Sequence, residues 1–181
     1  MQVEFTSTID RSTSQNDDAA SPLGDFRSAL TRSRLLERHH FDQLQISDRE
    51  GRPGNMQLGA FLLHNTTSLS IAVPHRAGLV APAVAAEQLA TLDQLSAGRL
   101  AISLVNASGA DLAVGEHAAD LARTDEYLVL VKRLWANREP FDHEGPFYSV
   151  QQGSVSSRPF SETGIPFILG GMSGTASIAR A

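Results

Sequence analysis

The chain has 181 residues, a formal net charge of −5, 41% hydrophobic residues and no cysteine. Without cysteine there are no disulfides, thiolate metal sites or cysteine nucleophiles. The mild acidic balance argues against a nucleic-acid surface but leaves room for a local phosphate pocket, and no apolar run reaches the ~18 residues of a membrane helix. The opening MQVEFTSTIDRS is polar and acidic where a secretory leader would be apolar, so a soluble, cytoplasmic protein with one main core is expected.

Met1 to Ile9 alternates, with Val3, Phe5, Ser7 and Ile9 on one side, and reads as a strand. Asp10 to Ala20 is polar and reads as a loop. Ser21-Pro22 supplies a capping residue and a helix start, and Leu23, Phe26, Leu30 and Leu35-Leu36 carry the apolar face to His39-His40. Phe41 to Asp48 reads as a second strand with Leu44 and Ile46 inward. After the Arg49–Asn55 loop, Met56 to His64 reads as a short helix and Leu69 to Val73 as a third strand, ending at Pro74-His75-Arg76.

The clearest unit is APAVAAEQLATLDQLSAGRLAISLVN, Ala81 to Asn106. Pro82 suits a first helical position. Val84, Ala85, Leu89, Leu92 and Leu95 recur at helical spacing, and Ala97-Gly98 ends the helix. Leu100 to Asn106 then reads as a strand apolar on both faces, as parallel sheets covered by helices require. Leu121, Tyr127, Leu128, Val131, Leu134 and Trp135 predict a long amphipathic helix. Phe141 to Val150 reads as a hairpin around Gly145-Pro146. Ile165 to Leu169 reads as a fifth strand, leading into Gly170-Gly171 and a helix still running at Ala181.

Strands recurring every 30 to 40 residues, each followed by a helix, give a parallel α/β fold. Two architectures fit this spacing: an open doubly wound sheet, or the first five units of a (β/α)8 barrel. In both, sites form at the carboxyl ends of the strands. Those ends carry Asp10, Asp48, Arg49, His75, Arg76, Asn106 and the turn Gly170 to Thr175. In that turn Gly171 permits close backbone approach, and Ser173 and Thr175 open a helix whose free N–H groups favour an anion such as phosphate. The spacing is not that of a dinucleotide fingerprint, and no Gly-x-Ser-x-Gly elbow or HExxH is present.

Pro82, Val84-Ala85-Ala86, Gln88, Ala90-Thr91-Leu92-Asp93, Leu95-Ser96, Gly98-Arg99 and Leu104-Val105 together make a pattern that resembles the flavin-dependent luciferase-like monooxygenases, most closely the alkanesulfonate monooxygenase type. Glu126-Tyr127 to Trp135, the Phe141 to Gly145 stretch, and Phe167 to Gly171 with Ser173 are similar to three flanking family segments. The resemblance implies a (β/α)8 TIM barrel, with residues 1–181 a single barrel domain cut off in the fifth helix. It implies a homo-oligomeric enzyme that oxygenates a small organic substrate with O2 and with reduced FMN from a separate flavin reductase. It further implies Asp48 and Asn106 beside the flavin, Gly171, Met172, Ser173 and Thr175 at its phosphate, and Arg49, His75 and Arg76 toward the substrate. A deazaflavin in place of FMN is the lesser cofactor alternative. A shortened non-catalytic flavin-binding or partner-subunit protein of the same family is the alternative function.

Overall fold

A computed structural model describes residues 5–9, 22–48, 54–105 and 114–169. Among them the order is β1 (Thr6–Ile9), α1 (Pro22–Arg38), β2 (Gln43–Ile46), α2 (Asn55–Asn65), β3 (Ser70–Arg76), α3 (Pro82–Leu95), β4 (Leu100–Val105), α4 (Val114–Ala136), the hairpin strands β5 (Phe141–Glu144) and β6 (Ser149–Gly153), and β7 (Phe167–Leu169). The main sheet has five parallel strands in the order β1-β2-β3-β4-β7. Thr8 pairs with Gln45, and Gln45 with Ala72. This monotonic order decides between the two architectures. A doubly wound sheet reverses direction at a switch point, whereas a barrel adds each strand beside the last.

The chain divides into two compact units. The first holds the described residues up to His75, Arg99–Ser103 and Pro166 onward, and therefore most of the sheet with α1 and α2. Ala29, Ser33 and Leu36 form the buried stripe of α1. Leu35, expected in that stripe, is exposed, one position and ~100° round the helix from it. The Phe26 ring meets Phe61 of α2 edge-on, centroids 5.5 Å apart. In α2 a Cβ on Gly59 would lie 2.4 Å from Val73 Cγ2, so helix and strand approach at a position that only glycine fits. This contact also fixes the faces of the sheet. Val73 and, by alternation, Ile71 look toward the helix layer; Ala72 looks the other way. Leu44 and Ile46 are buried as expected. Pro74 lacks an N–H, and pairing of β2 with β3 is registered only to Gln45 and Ala72.

The second unit holds Arg76–Gly98 and Leu104–Ile165. Ala85, Ala86, Leu89, Ala90 and Leu92 make the buried face of α3, whereas Val84 (46% exposed) and Leu95 (80% exposed) flank it. Both were expected inside. They lie on average about 90° from the Ala85–Leu89–Leu92 stripe at 100° per residue. The small side chains let α4 close in, and Trp135 Nε1 donates to the Ala86 carbonyl at 2.9 Å. The helix ends in a Schellman pair, Gly98 N to Asp93 O at 3.0 Å and Ala97 N to Gln94 O at 3.1 Å. Ala97 (φ 54°) and Gly98 (φ 79°) both take the left-handed conformation. No helix among the described residues is long and apolar enough to cross a membrane.

Candidate functional site

The residues of the diagnostic Ala81–Val105 pattern turn out to hold loops and helix ends. Arg99 donates from Nη2 to the Leu63 carbonyl at 2.7 Å and from Nη1 to Thr66 Oγ1 and the Leu69 carbonyl, both at 3.2 Å. A cation is thereby placed at the carboxyl end of α2, where the helix dipole favours it. Asp93, buried, accepts the Phe160 amide at 2.8 Å. Glu87 accepts both the amides and the hydroxyls of Ser156 and Ser157, at 2.7 to 3.0 Å. Those hydroxyl bonds, with the amides, hold its carboxyl below the usual range. Arg158 secures the same segment by donating to the carbonyls of Trp135 and Asn137. The pattern that is most diagnostic in sequence is thus structural in the folded chain.

Three of the residues expected at a site stand at described strand ends. Asp48 follows β2 half-buried, and its Oδ1 accepts from Asn55 Nδ2 at 2.8 Å. Asn55 opens α2 and Gly54 before it gives no side-chain cap, so the carboxylate stands by a helix N-terminus. His75 and Arg76 close β3, both half-buried. Burial lowers the His75 pKa and keeps the imidazole neutral at neutral pH. As consecutive strand residues they take opposite faces: His75 that of Val73, Arg76 that of Ala72. The expected ligand-facing residues Arg49, Asn106, Gly171, Met172, Ser173 and Thr175 lie outside the described residues.

Three polar features were not singled out from sequence. Gln45 Nε2 donates to Ser103 Oγ at 3.1 Å on the face of the sheet away from α2. In the second unit Glu126 accepts from His143 Nε2 at 2.9 Å and from the amides of Phe147 and Tyr148 at 3.1 Å. Desolvation works against the charge, but these donors prevail and the Glu126 pKa is lowered. The Tyr148 hydroxyl is buried without a partner among the described residues, beside Gly78 in the turn after β3. The Tyr148 phenol is pushed up, chiefly by burial. These groups are separated by tens of residues, and no spacing rule marks them. Among the described residues no group of three His, Asp or Glu side chains could hold a metal ion.

Residues 3–181 match a family model described as luciferase-like monooxygenase. An FMNH2-dependent dimethylsulfone monooxygenase of Pseudomonas fluorescens (strain Pf0-1) is 33% identical over 122 residues, 64% of this chain and 32% of that protein. EDTA monooxygenase from Chelativorans sp. BNC1 superposes with a TM-score of 0.78 and 19% identity, over 96% of this chain and 50% of that one. A coenzyme F420-dependent tetrahydromethanopterin reductase from Methanopyrus kandleri superposes with a TM-score of 0.70 and 17% identity, over 98% of this chain and 52% of that one. The match thus spans about a third of the curated relative and half of each solved chain. The shared fold is the α/β barrel type, of which the described residues supply five sheet strands.

Proposed function

Because the chain belongs to the luciferase-like monooxygenase family, we propose that it serves a reaction in which reduced FMN and O2 oxygenate a small organic substrate. The family match along residues 3–181 carries this reading. The face of the sheet away from α2 supports it: Ala72, Ala101 and the Gln45–Ser103 pair put small and polar side chains where bulky branched residues usually fill a barrel. When bound, the flavin supplies the redox chemistry, and the protein supplies binding, orientation and exclusion of water. Asp48 and Asn106 are proposed beside the ring. Gly171, Met172, Ser173 and Thr175 are proposed at the phosphate, which a helix N-terminus suits. Arg49, His75 and Arg76 are proposed toward the substrate, with His75 as a neutral hydrogen-bonding group and Arg76 as the cation. The substrate class proposed is an organosulfur compound, a sulfone or alkanesulfonate. Residues 1–181 are read as part of one barrel domain of a cytoplasmic homo-oligomer fed by a flavin reductase.

The test is O2 uptake by the full-length protein with a flavin reductase, NADH and FMN. Uptake stimulated by dimethyl sulfone or an alkanesulfonate, with an oxygenated product, is expected. Flavin binding without stimulated uptake would move the assignment to a non-catalytic flavin or partner role. The likeness to an F420-dependent reductase favours one second reading, a deazaflavin cofactor. Tighter binding of F420 than of FMN in a fluorescence titration would select it.

A further inference from the structure

The face of the sheet away from α2 has an unusual composition in the first unit. Thr6 and Thr8 of β1, Gln43 and Gln45 of β2, Ser70 and Ala72 of β3, and Ala101 and Ser103 of β4 share it by pairing and alternation. Each is small or polar, while Leu44, Ile46, Ile71, Val73, Leu100 and Ile102 occupy the helix side. Ile71 N donates to Arg99 O, which sets Ala72 beside Ala101. The Gln45 side chain lies across these alanines and reaches Ser103 from two strands away. Gln45 stands one residue before the end of β2 and Ser103 two before the end of β4. The pair is therefore only about 3–7 Å below the strand ends at a strand rise of ~3.3 Å per residue.

Ser103 is buried, and its oxygen accepts from Gln45. Its own hydroxyl proton and the second proton of Gln45 Nε2 have no acceptor among the described residues. Two uncharged donors thus converge at one place. None of the eight face positions named above carries a charge, and Arg76, on the same face, stands four residues past Ala72, about 13 Å along β3 at ~3.3 Å per residue, so an anion at the pair itself would be desolvated without a cation beside it. We propose that Gln45 and Ser103 form a positioning site for a neutral acceptor oxygen: a ring carbonyl of the flavin or the oxygen of an uncharged substrate such as a sulfone. The site deepens the monooxygenase reading and rests on it, because that reading brings a ligand to the strand ends.

The test compares the full-length protein with Gln45→Leu, Ser103→Ala and Ser103→Thr, after circular dichroism confirms that each is folded. FMN is titrated by absorbance and fluorescence, and kcat and KM are measured with dimethyl sulfone. Loss of one neutral hydrogen bond predicts about a two- to tenfold effect for Gln45→Leu and Ser103→Ala, with Ser103→Thr close to the parent. A weaker FMN Kd with a shifted visible band assigns the oxygen to the flavin. An unaltered FMN spectrum with a raised KM assigns it to the substrate. Folded variants with the parent's Kd, spectrum, kcat and KM would show an internal brace only and overturn the proposal. A parent protein that binds neither FMN nor F420 would overturn the monooxygenase reading itself, and this site with it.

Discussion

Arg99→Ala should be among the most damaging single substitutions outside the apolar core. The side chain satisfies the carbonyls of Leu63 and Leu69 and the hydroxyl of Thr66. Leu63, Thr66 and Leu69 are all buried. Each carbonyl left unsatisfied costs about 1–3 kcal/mol, and loss of a cation from a helix carboxyl end adds about 0.5 kcal/mol. Half-exposed Arg99 leaves a path for some water to enter, so the lower half of that range applies, giving about 3 kcal/mol in all. With a urea m-value of about 2 kcal/mol/M, the unfolding midpoint of the full-length protein falls by about 1.5 M, followed by far-UV circular dichroism. Arg99→Lys should recover part of the loss, since one ammonium can reach a carbonyl but cannot span three acceptors. A midpoint shift for Arg99→Ala below about 0.3 M would refute the capping role.

Four further outcomes follow from the same geometry. Gly59→Ala, whose new Cβ would sit 2.4 Å from Val73 Cγ2, should cost about 1–3 kcal/mol, and adding Val73→Ala should return part of it in the same urea titration. Ala97→Gly should raise stability by about 1 kcal/mol, because Ala97 holds φ 54°. Partial burial raises the Glu37 pKa, but the amides of Ser68, Thr67 and Leu69 and the Ser68 hydroxyl bring it down to about 2. Its stabilisation is therefore complete above the unfolded value near 4.5 and is lost as pH falls toward about 2. Glu37→Gln should flatten the melting temperature against pH in that window. His75, lowered by burial, acts in the same direction at higher pH. Its contribution is whole above the ordinary histidine value of 6.5 and falls away below it as the imidazole charges, a slope that His75→Asn should remove.

Elements governed by local rules were legible in the sequence. Pro82 and Ala97-Gly98 bound α3 where expected, and the hairpin turns at Gly145-Pro146. Spacing alone left a barrel and a doubly wound sheet open, because strand order is a matter of pairing partners and not of period. Which flank of a helix is buried was only partly legible, as Leu35, Val84 and Leu95 show. Their apolarity says they can be buried, but the width of the neighbouring layer decides whether they are. At the strand ends, Asp48, His75 and Arg76 were marked by position. Gln45 and Ser103 were not, since a polar residue inside a strand reads as a solvent face until the sheet curves and the other face is assigned. The carboxylate clasps were illegible for a related reason: Glu37 and Ser68, or Glu87 and Ser157, meet across 31 and 70 residues.

Those clasps also bear on how such a chain can diverge. Glu37 accepts the main-chain N–H groups of Thr67, Ser68 and Leu69; Glu87 those of Ser156 and Ser157; Glu126 those of Phe147 and Tyr148; and Asp93 that of Phe160. An amide is common to every residue but proline. A loop gripped by its amides can exchange most of its side chains and keep its path, while a change in the acid that grips it is felt at once. Drift should therefore collect in the loops and spare the carboxylates. Related chains would then share a frame while their connecting segments become unrecognisable to one another.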